Sequence, residues 1–140
     1  MKGGCHCGNI RVNLELSRTP DTYSPRACDC DFCRKHGASY VSDPDGSLCI
    51  YVKNTHFLGK YRQGSGIADC LLCTNCGVLV GIAYKDEGQL FAAINSQVVE
   101  DGIKFGEKKS VSPKTLTTSE KADRWKGVWF PNVTLITNNS

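Results

Sequence analysis

The sequence predicts a mainly β fold with little helix, and three observations carry that expectation: short runs of β-type residues, turns marked by glycine, and cysteines gathered into tight clusters. The clearest run is Ile10-Arg11-Val12-Asn13-Leu14-Glu15-Leu16, whose strict alternation puts Ile10, Val12, Leu14 and Leu16 on one buried face of a half-exposed strand. Further strands are expected at Ala38 to Ser42, Leu48 to Lys53, Phe57 to Tyr61, Ile67 to Cys73, Val78 to Tyr84 and Gln89 to Ile94. Turn residues separate several of them: Asp43-Pro44-Asp45-Gly46, Gly64-Ser65-Gly66 and Lys85-Asp86-Glu87-Gly88. The pattern reads as a β meander.

Helix is expected at Ser119 to Trp125, with Ser119 as N-cap and Gly127 following the end. Before it, Lys108 to Ser119 is rich in Ser, Thr and Lys and reads as an exposed connector. After it, Trp125, Trp129 and Phe130 are expected to close the core rather than line a pocket mouth. A chain of 140 residues can bury one modest core, so residues 1–140 are expected to form one domain.

Charge and compartment narrow the function. The longest apolar stretch, Val78 to Tyr84, is one strand long and interrupted by Gly81, so no membrane partner is expected. The start Met1-Lys2-Gly3-Gly4-Cys5 lacks the apolar segment of a secretory signal, which predicts a reducing cytoplasmic location. There, nine cysteines read as metal ligands or reactive thiols rather than disulfides. Counted as thiolates on zinc, a four-cysteine site carries −2 and a three-cysteine site −1, which cancels the formal +3 of the chain. No basic surplus is then left for a nucleic-acid partner.

The clusters are Cys5-His6-Cys7-Gly8, Cys28-Asp29-Cys30-Asp31-Phe32-Cys33 and Cys73-Thr74-Asn75-Cys76-Gly77. Gly8 and Gly77 each follow a second cysteine, which suits a tight turn whose amides face sulfur, so Cys5, Cys7, Cys73 and Cys76 read as two halves of one closed zinc site. Its role is structural, because four protein sulfurs leave no position for substrate. The middle cluster supplies three ligands, Cys28, Cys30 and Cys33, within six residues. Three ligands and an exchangeable position suit a labile, catalytic-type zinc; the alternative is a second structural site completed by Cys49, Cys70, His36 or His56. Cys49 and Cys70 also fit buried free thiols of strands.

Arg26, Arg34 and Lys35 flank this cluster and would stabilise thiolates and attract a carboxylate, unless they form a solvated rim. Asp29 and Asp31 are candidates for accepting hydrogen bonds around the ligands or relaying a proton, and His36 is an acid/base candidate.

Gly4-Cys5-His6-Cys7-Gly8, Cys28-Asp29-Cys30-Asp31-Phe32-Cys33-Arg34-Lys35-His36-Gly37 and Cys73-Thr74-Asn75-Cys76-Gly77 together resemble the glutathione-dependent formaldehyde-activating enzyme family, which includes centromere-protein-V-like members. The resemblance spans residues 3–101, and residues 102–140 are expected to pack on that region. It implies a β-tent fold, a structural zinc on Cys5, Cys7, Cys73 and Cys76, and a catalytic-type zinc on Cys28, Cys30 and Cys33. It also implies a carbon–sulfur lyase acting on an adduct of glutathione and an aldehyde such as formaldehyde; the flanking charges of Arg34 and Lys35 make these the residues expected to bind substrate carboxylates. The chain departs from the family in the position of Gly37, in Asp29 where histidine or serine is usual, and in the extra thiol Cys70.

Two other functions fit the same residues. One is a non-catalytic, zinc-stabilised module binding a protein or small molecule; the other is iron in a rubredoxin-like four-cysteine site. The sequence specifies neither the thiol nor the aldehyde, nor the oligomeric state.

Overall fold

The computed structural model describes residues 1–63, 66–100 and 102–137. The turn expected at Gly64-Ser65-Gly66 therefore falls largely outside the described residues. Alternation at Ile10–Glu15 (β2) does what its pattern demands: Ile10, Val12 and Leu14 are buried, and Arg11, Asn13 and Glu15 face out. β2 pairs antiparallel with Lys2–Gly4 (β1) on one side and with Ser47–Val52 (β5) on the other. The β2–β5 register sets Ile10 opposite Val52, Val12 opposite Ile50 and Leu14 opposite Leu48, so the inner face of this strand pair is wholly apolar.

A second sheet contains Arg26–Cys28 (β3), Tyr40–Val41 (β4), Leu58–Tyr61 (β6), Asp69–Cys73 (β7), Leu79–Asp86 (β8) and Gln89–Asn95 (β9). The expected meander is present from β6 to β9, which lie side by side in chain order. Glu87 and Gly88, with φ of 49° and 85°, make the two-residue β8–β9 turn, the left-handed pair that the right-handed twist of a hairpin favours. Val80 is the extra residue of a bulge, since Leu72 pairs with Leu79 and Leu71 with Gly81.

The C-terminal region builds as much structure as the motifs do. Lys109–Val111 (β10) pairs parallel with β3 at the edge of the large sheet, so the expected connector contains a strand, its exposed Ser and Lys side chains having hidden it. Asn132–Thr137 (β11) joins the small sheet in parallel with β5. Between them the expected helix is longer than its sequence signals suggested, Thr118–Val128 (α2). Its N-cap is Thr117, not Ser119: the Thr117 hydroxyl and Glu120 form a reciprocal capping box. Gly127 lies inside the last turn, and Trp129 is the C-cap. The short helix Asp31–His36 (α1) is the other departure. Its N-cap is the Cys30 sulfur, a group outside the usual Ser, Thr, Asp and Asn set. No helix among the described residues is long and apolar enough to cross a membrane.

The large sheet is buried on both faces, and this decides where the cysteines go. One face packs on the small sheet through Val41, Leu71, Cys73, Val80, Ala83, Ala92, Ile94 and Phe130. The opposite face carries Tyr40, Cys70, Leu79, Phe91 and Ala93, covered by Trp129 and bordered by Cys33. On β7, Cys70 and Cys73 are three residues apart, an odd spacing, so the pleat sends them to opposite faces.

Candidate metal centres

Cys5 and Cys7 follow β1, Cys73 ends β7, and Cys76 lies in the β7–β8 turn. Their four sulfurs all lie within 4.8 Å of one another. Cys5 Sγ is 3.7 Å from Cys7 Sγ, which is 3.5 Å from Cys73 Sγ. Zinc–thiolate bonds of about 2.3 Å in a tetrahedron place sulfurs roughly 3.8 Å apart, so the cluster fits a tetrahedral thiophilic ion. The two halves are built alike: the Cys5 amide donates to the Ile10 carbonyl at 2.9 Å and the Cys73 amide to Val78 at 3.0 Å. In each, the glycine after the second cysteine closes the turn with φ of +83°, a conformation that a side chain would strain.

The turns aim amides at sulfur, with Ile10 N–H 3.2 Å from Cys5 Sγ. Hydrogen bonds from the Asn75 side chain and the Asn9 amide pull the Cys7 thiol down to about 6, while burial pushes Cys73 up to about 12. Amides already directed at thiolates, and a ligand set of sulfur alone, are the chemistry of a closed metal site.

Cys28, Cys30 and Cys33 also converge, with sulfurs within 4.8 Å of one another. Cys28 ends β3, Cys30 caps α1, and Cys33 one turn later donates its amide to Cys30 Sγ at 3.4 Å. Gly37, in the left-handed region at φ +62°, ends α1 and returns the chain to the sheet. Among the described residues the group closes at three. Cys49 is half-buried on the small sheet rather than buried as expected, His36 packs on Phe32, and His56 lies beside Phe57. Cys70 is buried and lines the same cavity without joining the cluster.

The sequence did not single out Tyr40, which the pleat of β4 delivers to this cluster: its hydroxyl is 3.1 Å from Cys33 Sγ and buried. Burial, then the nearby Cys33, push the phenol well above its ordinary range, so it stays protonated and can donate to a thiolate. A hydrogen bond from Cys33 draws Cys28 down to about 6, and the same bond, with burial, raises Cys33. Burial, then the neighbouring Cys30 and Asp69, push Cys70 up to about 12. Gln63 Nε2 is 3.7 Å from Cys30 Sγ.

The cluster opens into a cavity of about 130 Å³. Trp125 and Trp129, stacked at 4.8 Å, form one wall, so of the three C-terminal aromatics Phe130 enters the core between the sheets and the two tryptophans face the pocket. Arg26, Lys114, Lys121 and Arg124 supply its positive charge. Arg34 and Lys35 lie on the exposed face of α1 outside the cavity lining, and Arg34 pairs with Asp31 at 3.4 Å. Asp29 ties the cysteine loop to the C-terminal wall: its amide donates to Val111, its Oδ2 accepts from Ser112, and Lys114 Nζ is 3.8 Å away. Lys121, Arg124 and Trp125, spaced i, i+3 and i+4, share a face of α2, a signal the sequence held but that no cysteine motif marked.

A mainly β fold with a closed four-thiol cluster and a three-thiol cluster at a pocket floor defines a class of candidate metal-binding proteins. The chain belongs to the family described as glutathione-dependent formaldehyde-activating enzyme, whose model matches residues 1–118. It is also similar to the crystal structure of a Rhodobacter sphaeroides protein, with TM-score 0.60 and 26% identity, over 79% of this chain and 100% of that one. No curated protein matches it.

Proposed function

We propose that the protein is a zinc-dependent carbon–sulfur lyase that makes and breaks the adduct between glutathione, or a similar thiol, and a small aldehyde such as formaldehyde. The observation that carries this reading is the three-cysteine cluster on the floor of a cavity with no fourth protein ligand among the described residues. Cys28, Cys30 and Cys33 would hold zinc there, while Cys5, Cys7, Cys73 and Cys76 would hold a structural one. Zinc bound at the open site supplies Lewis-acid stabilisation of a thiolate or of a carbonyl oxygen.

The chain's own groups set the rest. Tyr40 fixes Cys33 through its hydroxyl, and Cys30 is fixed by the α1 amide. Trp125 and Trp129 exclude water from the wall of the cavity. In the addition direction the thiol sulfur attacks the carbonyl carbon, the C–S bond forms as the C=O π bond opens, and the thiol proton ends on the new hydroxyl oxygen. Cleavage is the reverse. We place the reaction in the cytoplasm, where thiols stay reduced.

Exchange spectroscopy by NMR on formaldehyde and glutathione tests this. The wild type is expected to accelerate hydroxymethyl exchange and Cys30→Ser to return it to the uncatalysed rate. Equal rates would remove the lyase function for this substrate and leave a metal-stabilised binding module. One metal per chain instead of two would point the same way, and a coloured oxidised protein would indicate iron.

A further inference from the structure

We propose that Arg26 and Arg124 form a two-guanidinium cradle for a carboxylate of the thiol substrate, so that the pocket admits anionic thiols and rejects neutral ones. The identity of the thiol rests on the lyase reading; the cradle does not. Arg26 and Cys28 are two residues apart on β3, so the pleat turns both side chains into the cavity. Arg124 reaches the same cavity from α2.

The charge around these groups is unbalanced. The guanidinium of Arg26 hydrogen-bonds the neutral hydroxyl of Ser42, which donates in turn to the Val128 carbonyl. Among the described residues, Arg26, Lys121 and Arg124 have no ion-pair partner, while Asp29 accepts from Ser112 and pairs with Lys114. A half-buried arginine normally has a carboxylate beside it; here the cavity it lines brings it together with a second arginine, Arg124.

Two guanidiniums facing one cavity repel each other, and the apolar tryptophan wall weakens the screening that would relieve them. An anion between them removes that repulsion, and the planar fork of each guanidinium matches the two oxygens of a carboxylate. The same cavity has the three cysteines at its floor, where zinc would take a thiol, so a ligand with sulfur at one end and a carboxylate at the other would span both. A solvated cationic rim explains Lys114 and, taken alone, Arg124, both exposed, but not the half-buried Arg26.

Calorimetric titration of the zinc-loaded protein with glutathione and with glutathione diethyl ester, whose carboxylates are masked, tests the cradle. The wild type is expected to bind the acid at least about tenfold more tightly than the ester. Arg124→Gln, at an exposed helix position, is expected to lose that preference while retaining its zinc, and Arg26→Lys, which keeps the charge without the fork, to lose part of it. Equal binding of acid and ester by the wild type would overturn the proposal. So would a full preference surviving in zinc-loaded Arg124→Gln, or no glutathione binding by the wild type. If hydroxymethyl exchange is not catalysed but the carboxylate preference depends on Arg124, the lyase reading falls and the cradle stands.

Discussion

The two cysteine clusters use the same ligand in opposite ways, and the difference lies in what each ties together. The closed cluster joins Cys5 and Cys7 to Cys73 and Cys76, clamping the β1–β2 hairpin to the β7–β8 hairpin across 66 residues at its Cys7–Cys73 contact. The open cluster takes its three sulfurs from one contiguous segment of six residues. Cross-linking distant segments restricts the unfolded chain far more than closing a short loop. The four-sulfur site is therefore expected to act on stability, and the three-sulfur site on ligand chemistry.

The sharpest way to break this comparison is to remove one sulfur from each cluster. Cys73→Ser is expected to lose a metal and on the order of 4 kcal/mol or more of stability, enough to unfold a marginal chain. Cys30→Ser is expected to lose one metal and less than about 1 kcal/mol, since it leaves the two sheets and their shared core intact. Urea denaturation with metal counting on both variants decides it; equal losses of stability would erase the division of roles. A mild chelator applied to the wild type is expected to remove one metal while the fold, followed by circular dichroism, persists.

The grouping of Cys5, Cys7, Cys73 and Cys76 was legible in the sequence because its signals are local: two cysteine pairs, each ending in a glycine that must adopt positive φ. The large-sheet meander and the buried face of β2 were legible for the same reason, through alternation and turn residues. The pocket was only half legible. Its floor is a motif, but its walls come from segments that meet only in the fold: Tyr40 from β4, Gln63 after β6, and Lys114, Lys121, Arg124 and both tryptophans from beyond the last cysteine. Proximity in sequence pointed to Arg34 and Lys35, but α1 turns them outward, because Cys33 uses the inward face of that single short helix. Strand β10 carries no apolar alternation in its exposed Lys109-Ser110-Val111, and in β11 the alternation of Val133 and Leu135 is broken by Ile136 on a sheet edge that leaves Leu135 and Ile136 exposed.

A tie made without metal sharpens the contrast at smaller scale. Asp43, buried after β4, accepts from the Tyr23 hydroxyl, from the amide and hydroxyl of Ser17, and from the Asp45 amide. Burial alone would raise this carboxyl, but those four donors hold it down at about 2, below its ordinary 3.8. A carboxyl depressed in the folded state stabilises it above its unfolded value, and that contribution fades as pH falls from about 4 towards 2. The wild type is expected to exceed Asp43→Asn by about 2 kcal/mol at neutral pH, the gap shrinking over that window. Paired urea titrations at pH 7 and pH 3 check it, and a gap that does not narrow on acidification would remove the carboxylate from the account.

The smallest expected effect is the most selective. Tyr40→Phe deletes one hydroxyl 3.1 Å from Cys33 Sγ and leaves a ring of nearly the same volume on the large sheet, so packing should hardly change. What is lost is a donor to a buried sulfur, and donors of this kind typically carry about tenfold or more in metal affinity. The open site is thus expected to release its metal about tenfold more readily in chelator competition, with the four-cysteine site unchanged, because Tyr40 and Cys73 face opposite sides of the sheet. Cobalt substituted for the native ion should show the same selectivity, its thiolate charge-transfer band shifting for one equivalent and not for the other. If both equivalents weakened together, the sheet would be transmitting strain between the clusters instead of separating them, and their division into a closed and an open centre would have to be replaced by a coupled pair.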